Sequence, residues 1–271
     1  MQSTDIADNR KNGKTVLAII IALTFVVTVL FWVAIQTFQL SGLPLYFSQL
    51  GLYAIFFLLA WWGMKQEQIS LPVSKRLIVE ALVWSLVGWL FFLLLIQLLG
   101  IVQLPEAVLA FQKIPAWKIG AQILSTWFFV GLGEELLFRG YYLKAIWRHF
   151  TRETNRRRTL SAILLSSAFF SIWHLPVRIF AYFTGELDWV TLLISLVVLF
   201  LFGMGFTYLF IRTGNIFLVG LVHGLMDYPL AGKDTQLSFI ILLVAIACVE
   251  IARLITKKKF EIINFELEKV I

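Results

Sequence analysis

Cysteine is almost absent. Cys248 stands alone among 271 residues, inside an apolar run. A disulfide framework and a cysteine-built metal site are therefore excluded, and Cys248 is read as a small packing residue. Charge is scarce as well. Only 14% of residues are Asp, Glu, Lys or Arg, against 60% hydrophobic, which is outside the range of soluble domains and fits a multi-pass membrane protein. No internal repeat is visible, and no linker is long enough to separate a second domain. The net charge is +7, yet the basic residues fall between apolar runs. They mark membrane topology and contact with anionic lipid, not nucleic-acid binding.

What the chain has in quantity is apolar length. A helix needs about 20 apolar residues to cross a bilayer. Eight runs approach that, near 15–38, 45–64, 77–102, 118–145, 160–182, 189–211, 215–232 and 237–255. The first is too long for a signal peptide and is followed by no small-residue cleavage pattern, so it is expected to be a retained span. The expected fold class is all-α, a polytopic bundle of about eight transmembrane helices around a polar intramembrane cavity. Residues 1–14 are expected to be a disordered cytoplasmic N-terminus, 15–255 a single transmembrane domain, and 256–271 a cytoplasmic tail.

Loop charges orient the bundle. Arg10, Lys11, Lys14, Lys65, Lys75, Arg76, Arg148, Arg152, Arg156, Arg157, Arg158, Arg212 and the Lys257–Lys259 run all fall on one side of an eight-span topology. On the other side Lys113, Lys118, Arg178 and Lys233 are offset by Glu106, Glu186, Asp188 and Asp234. This positive-inside bias places both termini in the cytoplasm.

Ionisable residues within the spans are costly, at about 2.5–3.5 kcal/mol each on insertion scales, and so point to function. Glu80 and Glu250 lie near helix ends, and Lys144 and Arg148 reach the cytoplasmic interface by snorkelling. Glu134, Glu135, Arg139, His174, His223 and Asp227 remain, on the fourth, fifth and seventh helices. Glu135 and Arg139 are four residues apart and are expected to pair. Glu134 is turned about 100° from Glu135 and points elsewhere. His223 and Asp227 share a face, as do Phe170 and His174. A carboxylate with a histidine can take a proton from water, and further donors can hold an oxyanion. The same groups can relay protons in a carrier. Residue types alone leave catalysis and transport both open. Gly131, Gly133, Gly140, Gly203, Gly205 and Gly220 lie near these residues and permit close helix approach or a local break.

Three segments carry a resemblance. EELLFR at 134–139 matches E-E-x-x-x-R, FSIWH at 170–174 matches F-x-x-x-H, and HGLMD at 223–227 matches H-x-x-x-N/D. In that order, over about residues 115–232, they resemble the CAAX-processing and bacteriocin-processing (ABI, CPBP) family of intramembrane proteases, related to the Ras-converting CAAX endopeptidase. The resemblance implies that Glu134 activates water and His174 assists it. It implies that His223 and Asp227 stabilise the oxyanion, and that Glu135 and Arg139, with Phe170, hold the local structure. Where this chain has Asp227, well-understood members have Asn. Asn donates a hydrogen bond while neutral, and Asp does so only when protonated.

A metal is not favoured, because no H-E-x-x-H is present and the mechanism usually proposed for the CAAX branch is metal-free. Were zinc bound, Glu134, His174, His223 and Asp227 would be the ligands. The implied partners are a membrane-associated peptide or protein substrate and the lipid bilayer, in a bacterial cell membrane. Two other readings stand beside the protease. One is a non-catalytic bacteriocin-immunity or scaffold protein of the same family. The other is a proton-coupled transporter, for which inverted repeats would speak, and none is visible.

Overall fold

The computed structural model describes residues 2–101, 114–149, 155–228 and 235–256. Every regular element among them is helical: α1 Gln2–Phe38, α2 Gly42–Gln66, α3 Lys75–Leu98, α4 Ala116–Ile123, α5 Gly131–Glu135, α6 Leu143–His149, α7 Asn155–Trp173, α8 Leu175–Phe183, α9 Trp189–Thr213, α10 Ile216–Asp227 and α11 Thr235–Thr256. Two π-helical segments, Leu124–Val130 and Leu136–Tyr142, join α4, α5 and α6 into one helical run of changing pitch. The expected tail, the Lys257–Lys259 run, the loop residues Glu106, Lys113, Arg152, Lys233 and Asp234, and the end of the expected helix 215–232 lie outside the described residues.

The all-α class expected from composition is observed. Among the described residues, five helices are long and apolar enough to cross a membrane: Asn12–Phe38, Gly42–Gln66, Lys75–Leu98, Arg157–Phe183 and Trp189–Thr213. The eight expected spans are not all of that kind. The 116–149 run carries too many charges. With 12 residues, α10 extends about 18 Å, short of a hydrocarbon core of about 30 Å. The expected helix 160–182 is broken at His174. Pro176 has no N–H to continue the ladder and restricts Leu175 before it, so a new helix starts there.

The residues divide into two compact units, Met1–Leu71 with Leu136–Thr207, and Pro72–Glu135 with Tyr208–Ile271. The first unit has an aromatic core. Phe138 meets Phe170 edge-on at 5.2 Å and Phe56 meets Trp173 at 5.4 Å. Several polar groups inside this unit are matched. The Trp173 indole donates to Thr28 Oγ1 at 2.7 Å, and Tyr142 Oη and Thr24 Oγ1 lie 2.8 Å apart. Beyond the end of α2, the Glu67 carboxylate accepts from Tyr141 Oη at 2.6 Å and pairs with His149. Lys144 Nζ donates to the Ser70 carbonyl at 2.6 Å.

The second unit is built around α10, packed by α3, α5, α11 and the Leu124–Val130 segment. Asn215 starts that helix. Its Oδ1 accepts from the Phe217 and Leu218 amides at 3.1 and 3.2 Å, and its Nδ2 donates to the Leu77 carbonyl at 2.8 Å. A cap of this kind is worth about 1 kcal/mol. Here it also ties α10 to α3.

Candidate active site

Backbone contact brings the acidic run to α10. A Cβ on Gly131 would stand 2.1 Å from the Gly220 carbonyl oxygen, and one on Gly224 would stand 2.3 Å from Trp127 Cα. Only glycine allows that approach, which is how small residues work at helix interfaces within membranes. Trp127 Nε1 adds a bond to the Tyr228 carbonyl at 3.0 Å. Glu134 and Glu135, at the end of α5, are thereby set beside His223.

The resulting geometry is specific. His223 Nδ1 and Glu135 Oε1 are 2.8 Å apart, a hydrogen bond within the buried interior. His223 Nε2 stands 3.7 Å from Glu134 Oε2 and 3.7 Å from Asp227 Oδ2. Both distances are too long for a direct hydrogen bond and suit a contact through a small intervening group such as water. Glu134 and Glu135 are buried, at 2% and 0% exposure, and His223 is at 5%. The Asp227 side chain is 41% exposed and stands at the edge of the cluster. One dry carboxylate and one partly wetted carboxylate therefore face Nε2 of an imidazole whose Nδ1 is held by a second dry carboxylate.

The other motif residues lie in the first unit. Arg139 is 1% exposed. Its NH2 group donates to the Gly203 carbonyl at 2.9 Å, and its guanidinium packs over Phe170 at 4.6 Å and Phe206 at 5.2 Å. These cation–π contacts and the hydrogen bond account for a buried arginine in an aromatic setting. Phe170 then meets the His174 ring edge-on at 4.8 Å. His174 Nδ1 lies 2.8 Å from the Phe170 carbonyl. A carbonyl can only accept, so Nδ1 carries the proton that makes this bond.

The structure thus brings Glu134, Glu135, His223 and Asp227 together in one unit and Arg139, Phe170 and His174 together in the other. The i,i+4 spacing gave no hint of the Glu135–His223 bond, since the two residues are 88 positions apart. The Leu136–Tyr142 segment winds more widely than an α-helix, so an angular argument based on 3.6 residues per turn stops at Glu135. Among the described residues no group of three or more His, Cys, Asp or Glu side chains is arranged to hold a metal ion. Glu67 and His149 form a second buried pair that sequence reading missed, because neither belongs to a local pattern.

Residues 116–229 match the family model described as Type II CAAX prenyl endopeptidase Rce1-like, a stretch that contains all seven motif residues. No curated protein and no solved structure matches the chain.

Proposed function

We propose that the chain is an intramembrane endopeptidase driven by Glu134-activated water, a reading supported by the match of residues 116–229 to the Rce1-like family model of type II CAAX prenyl endopeptidases. The observation that carries the proposal is the convergence of Glu134 and Asp227 on His223 Nε2, each at 3.7 Å, with Nδ1 already engaged by Glu135.

In this mechanism water gives a proton to the Glu134 carboxylate as its oxygen bonds to the scissile carbonyl carbon. The carbonyl oxygen becomes an oxyanion. His223, held by Glu135, donates to it from Nε2 in the protonated form, and protonated Asp227 adds a second donor. His174 takes the assisting role that the motif resemblance implies. The proton held by Glu134 passes to the leaving nitrogen, the C–N bond breaks, and an acid and an amine result. Arg139 and Phe170 keep the His174 ring in one orientation. The substrate is a membrane-associated peptide or protein. No step is routed through a metal, and activity is expected to survive a strong chelator.

The test compares peptide termini in membranes from two cultures, one making the wild type and one making Glu134→Gln at matched levels. New termini confined to the wild type would support proteolysis and name its substrates. Identical termini from two folded, inserted proteins would overturn it in favour of a binding or immunity role.

A further inference from the structure

Glu250 is an acidic residue near the end of the apolar helix α11, and the motif chemistry does not use it. Its carboxylate is saturated. Oε1 accepts from Tyr208 Oη at 2.6 Å and from Arg212 Nε at 2.9 Å. Oε2 accepts from Arg212 NH2 at 3.2 Å and from Arg253 NH1 at 3.0 Å. A carboxylate offers about four lone-pair positions, so no room is left for another donor. Two guanidinium groups therefore share one negative charge, and one positive charge is left over. Arg253 carries most of that surplus. It gives Glu250 a single nitrogen, and its side chain is 37% exposed against 19% for Arg212.

Depth in the bilayer follows from helix length. The span Trp189–Thr213 has 25 residues and is about 38 Å long, against a hydrocarbon core of about 30 Å. Arg212 is its second-last residue, so the surplus length carries the guanidinium to headgroup level, with the Tyr208 ring one turn below it. The last turns of α11 are otherwise apolar and open, since Ile251, Leu254 and Ile255 are exposed. Charge and bare apolar surface thus occur together at one helix end. An amphiphile satisfies both, while a soluble anion or an acidic peptide would leave the apolar part uncovered.

We propose that Arg253 and Arg212, gathered on Glu250, form a site for the phosphate headgroup of an anionic phospholipid, whose acyl chains lie along the end of α11. The planar guanidinium fork matches phosphate oxygens in paired hydrogen bonds. Glu250 sets the geometry by holding the two forks side by side, and Tyr208 fixes Glu250 in turn. The contrast is with Arg76, which pairs one to one with Glu80 at 2.7 Å and leaves no surplus charge. The site also has a structural consequence. Arg212 stands just before Asn215, which caps α10, and α11 packs on α10. A bound lipid therefore braces the helix that carries His223 and Asp227, and it does so whether or not the chain cleaves peptides.

The experiment uses the purified full chain in a non-ionic detergent. The probes are phosphatidylglycerol and phosphatidylcholine with the same acyl chains. Bound lipid is counted by native mass spectrometry, and melting is followed in parallel. The wild type should retain phosphatidylglycerol over phosphatidylcholine by roughly fivefold to tenfold, the factor one basic side chain supplies at an anionic surface. Phosphatidylglycerol should also raise its melting temperature. R253Q keeps the Arg212–Glu250 pair, so it should fold and bring the ratio near one. R253K should keep most of the preference. R76Q removes the same charge from a one-to-one pair and should leave the ratio unchanged. A wild type with no preference would overturn the site. So would a preference that survives R253Q, or one that R76Q lowers as much, since the general charge of the protein would then account for it. A ratio lost equally in R253K would assign Arg253 to packing and overturn it as well. Glycerol phosphate that displaces the lipid and raises the melting temperature equally would make a soluble phosphate the occupant and overturn the lipid.

Discussion

Two buried glutamate–histidine pairs occur in this chain, and they are built to different ends. Glu67 and His149 are sealed. Their side chains are 3% and 8% exposed. Glu67 also takes the Tyr141 hydroxyl, and its backbone carbonyl takes Arg148 NH1. Gly13 packs against the Cε1–Nε2 edge of His149, where a Cβ would fall 2.3 Å from the ring. Glu135 and His223 begin the same way, with a 2.8 Å hydrogen bond at a residue of 0% exposure. Here, however, the second imidazole nitrogen faces Glu134 and Asp227 at distances that leave room for a reactant. The first pair is spent on the fold through Glu67, while Nδ1 of His149 is buried without a hydrogen-bond partner and, among the described residues, faces no second carboxylate. The second sets an imidazole held by one carboxylate against two more, the arrangement a catalytic imidazole uses. Burial and residue type are common to both, so neither is a sign of catalysis. The distinguishing feature is that two further carboxylates face the second nitrogen of His223.

Breaking each pair should have opposite consequences. Glu134→Gln should cost the most, at least about 10³-fold in kcat at unchanged melting temperature, since it removes the proton acceptor. Glu67→Ala should cost about 3 kcal/mol of stability, because a buried partner is left uncompensated. It should appear as a lower melting temperature in detergent, while the folded fraction keeps its kcat. Glu135→Gln should fall between, with roughly a 10²-fold loss in kcat, since the amide still accepts from Nδ1–H but no longer supports a charged ring. A pH–rate profile checks it, because the variant should lose the limb that reports His223.

Asp227→Asn should do least, within about threefold of wild type at low pH. It should sharpen the contrast by its pH dependence. Asp227 donates only when protonated, so wild-type activity should decline as pH rises and that donor is lost. The amide donates at every pH, so the decline should flatten. A dead Asp227→Asn would replace the donor role with one that needs a charge.

Much of this was legible before any coordinates. Apolar run length indicated an all-α membrane protein, while the break at His174 within the fifth run was not expected. The spacing of His223 and Asp227 placed them on one face, and they meet at 3.7 Å. Other features had no local signature. The bond between Glu135 and His223 depends on the close approach at Gly131, Gly220 and Gly224, and Gly224 did not stand out among 17 glycines. The change to π-helical winding after Glu135 had no signature in the local sequence. Glu67 and His149 lie 82 residues apart, and His149 reads in sequence as an ordinary helix end.

The most direct test runs both pairs side by side, measuring cleavage of one identified peptide and thermal melting for Glu134→Gln and Glu67→Ala in the same lipid. Glu134→Gln should melt with the wild type and not cleave, while Glu67→Ala should melt earlier and cleave at the wild-type rate per folded molecule. Cleavage by Glu134→Gln, or loss of cleavage in a Glu67→Ala protein that melts with the wild type, would contradict the division between a sealed pair and a working one.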